Sequence, residues 1–376
     1  MTIRCLQKTA LFPQVAILSV CATLLPIQAM AGYVQENLVS DISGLAKNFD
    51  THLTNPWGIS FSATGPFWVS NNRDGTSTLY NTSGTPQALV VTVPTKSGSG
   101  TGSPTGQVFN SNNGTGAFSG DRFIFATEDG TISGWSSGTN AVKRAEGSAD
   151  SVYKGLAIDN TSNRLYAANF GNTGKIDAFN TNYTSTLAGQ FVDPNLPANY
   201  APFNIQNIGG VLYVAYAFKG NTSDTDETTG DGLGIVNKYD TNGNLINRLI
   251  TGGQLNAPWG FALAPSDFGE YSNNLLVGNF GDGKINAYDP ISGAYRGTLA
   301  DPFGNPIQID GLWGLAFGNG GNGGAKNKLY FAAGINNEVN GLFGSLAVVP
   351  EPDSLSLIGI GLLGLAVSRR LNKLHN

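Results

Sequence analysis

An all-β fold, a six-bladed β-propeller, is what this sequence predicts, and three observations carry the prediction. First, a Trp-Gly mark followed by a glycine-turn hairpin recurs about every fifty residues, the period of a propeller blade. Second, glycine supplies 51 of 376 residues and charged side chains only 12%. That composition suits short strands joined by tight turns and leaves too little Lys and Glu for long exposed helices. Glycine shows no period of three, which excludes a collagen-like chain. Third, the strands are apolar on both faces. A four-stranded unit of that kind buries neither face alone, whereas units stacked in a ring bury both and leave only short edges.

The expected elements run in chain order. Residues 33–39 add an outer strand that closes the ring on the last blade. Residues 55–59 (Asn-Pro-Trp-Gly-Ile) open blade 1, residues 67–80 form its hairpin around Asp74 and Gly75, and residues 87–93 are its outer strand. Residues 96–106, all Gly, Ser, Thr and Pro after Lys96, read as a surface loop, either a lid over the channel or slack. Residues 105–108 fill the inner slot of blade 2, ahead of a hairpin over 123–135. Residues 154–156 open blade 3, with its hairpin at 165–179. Residues 201–205 open blade 4, where 212–216 leads through an acidic insertion to 235–239. Residues 257–261 (Ala-Pro-Trp-Gly-Phe) open blade 5, with a hairpin at 275–288 and an outer strand at 295–299. Residues 311–315 (Gly-Leu-Trp-Gly-Leu) open blade 6, ahead of 329–333 and 342–343. Trp57, Gln107, Lys154, Phe203, Trp259 and Trp313 mark the six units. The repeated tryptophans are expected to pack between blades.

The unit resembles the NHL repeat, in which proline, any residue and glycine precede an apolar strand, then a strand ending in a polar residue before a glycine turn. Residues 257–289 match it best, and the likeness spans residues 50–345, give or take a few. Where that family often has Asp at the strand end, this chain has Asn71, Asn169 and Asn279. Asn169 and Asn279 are expected to cap turns through bonds to backbone amides. A ring of such asparagines holding a cation in a channel is the alternative, and Asn71, Asn169 and Asn279 with Asp129 are the candidate ligand-binding residues.

The two ends carry addresses rather than fold. Arg4 and Lys8, an apolar stretch over residues 10–25, and the small residues Ala29 and Ala31 before Gly32 form a secretory signal peptide, residues 1–31. A retained anchor is disfavoured because Pro13 and Pro26 interrupt a spanning helix. At the other end stand Val349, Pro350, Glu351 and Pro352, then an apolar run over 355–367, then Arg369 and Arg370. That run is short of the ~20 residues of a comfortable span, and its basic end would face the cytoplasm. Residues 349–376 resemble the PEP-CTERM sorting signal of Gram-negative bacteria, although the basic cluster is thin. The resemblance implies export, transient membrane insertion of a short transmembrane segment and cleavage by exosortase, a membrane-embedded cysteine peptidase. Carriers commonly make extracellular polysaccharide. A plain short anchor is the other reading. The propeller occupies residues 32–348, and the whole is similar to a family of exported propellers.

Chemistry is sparse. Both cysteines, Cys5 and Cys21, lie in residues 1–31, so the mature chain has neither disulfide nor thiolate. Its histidines are His52 and His375, too few for a zinc site, and His52 would have to serve any Ser-His-Asp system alone. The glycines of 318–324 lack the Lys-Ser/Thr of a phosphate loop. The formal charge of −5 becomes −7 once Arg4 and Lys8 are removed, which argues against nucleic acid as a partner. Calcium is the one metal this composition admits, because it takes oxygen ligands alone. Asp224, Asp226, Glu227 and Asp231 in the acidic insertion are its candidate ligands, against a merely solvated loop; their spacing is not that of an EF-hand. Glu128 joins Asp129, Asn169 and Asn279 at strand ends where propeller lactonases hold a central calcium. The functional expectation is therefore an envelope or matrix protein binding a small molecule or polysaccharide at the channel mouth, with enzymatic activity left open. The alternatives are a calcium-dependent lactonase-type hydrolase and a structural matrix component without ligand.

Overall fold

The computed structural model describes residues 32–349. They form six sheets arranged as a β-propeller, antiparallel except for one short parallel edge pair. Blade 1 runs from its inner to its outer strand as Pro56–Ser60, Phe67–Asn71, Thr76–Tyr80 and Pro86–Thr92. Blades 2 to 5 repeat that order, with inner strands Pro104–Phe109, Tyr153–Ile158, Tyr200–Ile208 and Pro258–Leu263. Blade 6 takes three strands from the C-terminal part, Leu312–Phe317, Leu329–Ala333 and Leu342–Val349. Its fourth, Gly32–Ser40, comes from the other end of the body and pairs antiparallel with Leu342–Val349. The short strand Asn48–Phe49 adds to the outside. The ring is thus closed where residues 33–39 were expected to close it.

Apolar packing explains why the units stack. Each of the six blade interfaces holds its own buried cluster. Trp68, Val91, Phe125 and Trp135 fill the seam between blades 1 and 2, and Phe67, Val69, Tyr330 and Phe343 fill the seam between blades 6 and 1. Each such side chain contributes about 1.5–3 kcal/mol on burial, so no blade is stable without both neighbours. A seventh cluster lies on the axis, built from Trp57, Phe170, Phe203, Trp259 and Trp313.

The recurring mark has a geometric cause. All six inner strands break register with their neighbours at the mark, as at Pro56/Ile59, Tyr153/Gly155 and Pro258/Gly260. Such bulges re-aim the side chain they carry. Here they turn the residue before the bulge's inner edge (Trp57, Lys154, Phe203, Trp259 and Trp313 among them) to the axis, and this corrects the expectation that the marked tryptophans pack between blades. Trp57 stacks on Trp313 with ring centroids 3.5 Å apart, and Trp259 meets both edge-on. The tryptophans between blades are Trp68 and Trp135 instead.

The glycine of the mark serves close approach. A Cβ on Gly58 would lie 2.6 Å from the Thr105 carbonyl oxygen, one on Gly260 2.5 Å from that of Trp313, and one on Gly314 2.4 Å from that of Trp57. Each therefore lets its strand press on the next blade's mark. Blade 4 has Asn204 in that slot, and its side-chain amide donates to the Trp259 carbonyl at 2.7 Å. By the same equivalence Thr105 and Gly106, not Gln107, form the mark of blade 2. The strand starting at Pro104 also shortens the expected loop, which ends at Ser103.

Candidate functional site at the channel mouth

The axial aromatic plug divides the channel. On the side where the inner strands end, a cavity of about 300 Å³ is lined mainly by backbone and apolar groups, with Gln107 and Asn204. On the side where they begin, a cavity of about 660 Å³ is lined by Asn55, Trp57, Lys154, Trp313 and four carboxylates, Glu128, Asp226, Glu227 and Glu338.

Lys154 organises this mouth. It occupies the mark position that holds tryptophan in blades 1, 5 and 6, so the bulge aims its chain at the axis. The residue is 2% exposed. Its ammonium donates to Glu128 Oε1 at 2.7 Å and to Asp226 Oδ1 at 2.8 Å, and it lies 5.3 Å from the centre of the Trp57 ring. Burial alone would push this amine's pKa down; Glu128, Glu227 and Asp226 outweigh burial and hold it above the ordinary lysine value.

The remaining groups arrive on turns. Glu128 follows the second strand of blade 2, and its other oxygen accepts from Asn72 Nδ2 at 2.9 Å. Asp226 and Glu227 come from the acidic insertion of blade 4, which folds inward over the mouth. Glu338 ends the short turn Ile335–Glu338, where Asn336, Asn337 and Glu338 all have positive φ. Three successive non-glycine residues in that region carry real strain. The backbone N–H of Asn336 donates to Asp310 Oδ2 at 2.8 Å, which helps hold the turn. Glu338 Oε2 accepts from Asn55 Nδ2 at 2.7 Å, and Asn55 Oδ1 accepts from the Trp313 indole at 3.2 Å.

Two carboxyls are left without an ion-pair partner among the described residues, Glu227 and Glu338. Burial pushes Glu227 up to about 7, with Lys154 opposing and Asp226 and Glu338 adding to the rise. Burial likewise raises Glu338, against the opposing bond from Asn55 and the charge of Lys154. The three axial indoles also differ. Trp259 donates to the Lys154 carbonyl at 3.0 Å and Trp313 to Asn55, whereas the buried Trp57 N–H has no acceptor.

The residues singled out from sequence are distributed as follows. Asn71, Asn169 and Asn279 are fully buried at the ends of second strands. Asn169 accepts from the N–H groups of Val152 and Gly171 and donates to Asp177. Asn71 bonds Thr76 and Thr78, and Asn279 bonds the Gln254 carbonyl and Asp282. Asp129 holds the turn of its own hairpin and the Lys96 amide. None of these four lines the mouth. Among the proposed calcium ligands, Asp226 and Glu227 reach it. Asp224 accepts from Asn221 N within its own loop, and Asp231 is exposed. No group of three acidic or metal-ligating side chains converges as a metal site among the described residues. At the mouth the Lys154 ammonium takes the carboxylate oxygens of Glu128 and Asp226. His52 sits at the surface, paired with Asp74 at 2.9 Å. The loop before blade 2 is tied to that blade by Lys143, which donates to the Lys96 carbonyl, and only its end at Ser103 reaches the cavity. Ala29, Ala31, Pro350, Glu351, Pro352, Arg369 and Arg370 lie outside the described residues, while Val349 ends the last strand of blade 6.

Fold and C-terminal motif together define a propeller protein with a sorting tail. A family model for the PEP-CTERM protein-sorting motif matches residues 348–370, which marks an exported bacterial protein handled by exosortase. Two uncharacterised proteins of Acanthamoeba polyphaga mimivirus are 32% and 33% identical to this chain. Each alignment covers 85% of it, and 82% and 87% respectively of the viral proteins. The chain belongs to the same family as those two proteins. Among solved structures, a protein of unknown function from Bacteroides thetaiotaomicron superposes with a TM-score of 0.54 at 14% identity, over 85% of this chain and 76% of that one. A streptogramin B lyase superposes with a TM-score of 0.50 at 14% identity, over 86% of this chain and 99% of the lyase. At such identities the likeness is one of fold.

Proposed function

We propose that this is a binding protein of the bacterial cell envelope or extracellular matrix, and that the propeller mouth is its binding site for a small polar molecule or a polysaccharide segment. One observation carries the reading. A cavity of small-ligand size opens at the start of the inner strands, and its wall is a buried charged side chain held by carboxylates rather than apolar packing. A purely structural ring would fill that slot with a further aromatic, as blade 4 does with Phe203. The strained turn that delivers Glu338 supports the same reading, since strain of this kind clusters at sites of function.

The termini complete the proposal. Residues 1–31 act as a signal peptide cut after Ala31. Residues 355–367 insert transiently in the membrane of a Gram-negative host, and exosortase cuts the tail near Pro352. The mature protein then spans residues 32–348 with a short C-terminal extension. Mass spectrometry of the protein from its host tests this part, and an intact C-terminus would refute it. The binding reading is tested by screening the full chain for thermal stabilisation against polysaccharide fragments and small polar metabolites. A shift lost on Lys154→Met supports it. Silence across the panel favours the ligand-free structural role, and turnover of lactones that stops on chelation of calcium favours the hydrolase.

A further inference from the structure

We infer that the acidic insertion of blade 4 is a strap across the propeller mouth, closed by one latch, the Asp226–Lys154 ion pair, and that release of this latch opens the cavity to a ligand. The inference rests on the binding reading above and supplies the regulation of that same site.

The strap comprises residues 219–230, which follow the second strand of blade 4, Val211–Phe218. Both of its legs are fixed. Thr228 N donates back to the Phe218 carbonyl at 2.8 Å, which pinches the base. The Lys219 N–H donates to the Asn199 carbonyl as that of Phe170 does to Val152 and that of Phe280 to Ala257, so Lys219 holds on blade 4 the position those aromatics hold on blades 3 and 5. It is 3% exposed. Its ammonium donates to the carbonyls of Phe170 at 2.9 Å, Gly171 at 3.3 Å and Thr222 at 2.8 Å. These bonds carry the first leg as far as Thr222. On the other leg the Gly230 N–H donates to Asn256 Oδ1 at 2.8 Å.

Little holds the span between the legs. Residues 221–230 carry no apolar side chain, so no hydrophobic burial pins them down. Asp224 bonds Asn221 within the strap itself. Among the described residues, the only hydrogen bond from 223–227 to anything outside the strap runs from Lys154 Nζ to Asp226 Oδ1, at 2.8 Å. That latch is lopsided, because the Lys154 side chain is 2% exposed and that of Asp226 77%. An ion pair with one partner in water holds weakly and yields to salt. Opening it does not strand the buried ammonium either, since Lys154 keeps Glu128 at 2.7 Å. Thr225, Asp226 and Glu227 line the cavity together with Trp57 and Trp313. One wall of the cavity therefore moves with the strap while its floor stays in place.

The test needs no ligand, so the strap can fail while the binding reading stands, and the ligand screen can fail while the strap holds. Hydrogen exchange of the full chain, read by mass spectrometry, follows the amides of residues 222–228 at ~0.05 M and at about 1 M sodium chloride, where the screening length falls to about 3 Å. Salt is expected to speed their exchange about fivefold, the factor a weak, exposed ion pair supplies. Asp226→Asn should show the fast rate at low salt already. Asp231→Asn, the same charge change on an exposed residue off the cavity lining, should keep the parent's rate. Acrylamide quenching of tryptophan fluorescence should rise in step with exchange, because Trp57 and Trp313 line the cavity that opens. Exchange unmoved by salt and by Asp226→Asn overturns the latch. Faster exchange without stronger quenching overturns the gate. Exchange that also quickens over residues 211–218 marks local unfolding and overturns both. Should Asp226→Asn fail to fold in melting curves, the salt series on the parent decides alone.

Discussion

Blades 5, 6 and 1 differ from blades 2, 3 and 4 at a single slot of the inner strand. The first three place Trp259, Trp313 and Trp57 there, and these pack on one another across the axis. The other three place Thr105, Lys154 and Phe203. One half of the ring therefore supplies the stacked indoles of the floor, and the other half supplies Lys154 with Glu128, Asp226 and Glu227 around it. The bulge that aims the slot is common to both halves. The backbone solves the problem of direction once, and side-chain substitution decides what points inward. A repeat fold can thus gain a site by losing regularity at one position without altering its packing between blades.

Four substitutions would break or sharpen that contrast. Trp313→Ala removes a ring stacked on both Trp57 and Phe280 and should cost about 4 kcal/mol in chemical denaturation, the largest effect and one of stability. Lys154→Met keeps the length but strands Glu128 and Asp226. A loss of about 3 kcal/mol is expected, together with loss of ligand-induced stabilisation; a variant as stable as the parent that still binds would erase the proposed division of labour.

Glu227→Gln should act in the opposite sense. The folded carboxyl titrates near 7, above the ordinary value of about 4.3, so the folded state holds an extra proton between those pH values. Stability from that group is fully present below the lower value and is lost as pH rises through 7. Gln avoids the loss. The variant should therefore gain about 2 kcal/mol over the parent at pH 8 and almost nothing at pH 4, read from melting curves across that range. The smallest effect belongs to Asn204→Gly, which makes blade 4 resemble its neighbours. It removes the bond to the Trp259 carbonyl and should cost about 1 kcal/mol, with ligand binding intact.

The ring was legible because stacking imposes the same demand six times. Apolar residues on both faces, glycine turns and the Trp-Gly mark all follow from that demand, and residues 33–39 read as a closing strand for the same reason. The site was not legible because nothing repeats in it. Lys154 entered only as a spacing marker, although a lysine in a slot that is aromatic in four of the six blades was a usable signal. Asn71, Asn169 and Asn279 drew attention as a ring, yet side chains alternate along a strand. The residue after each, Asn72, Phe170 or Phe280, is the one that reaches the axis. Glu338 gave no warning, since its aim depends on three left-handed residues that sequence periodicity does not encode.

The closing strand has a consequence for biogenesis. Gly32 lies opposite Val349, so the seam joins the first stretch of the body to its last. During export the leading strand waits for a partner more than three hundred residues behind it, and until the two meet blade 6 keeps a raw edge. A chain that stops early stays open and sticky. Only a finished molecule can zip itself shut, and the zip ends on Val348 and Val349, the first two residues of the matched sorting motif.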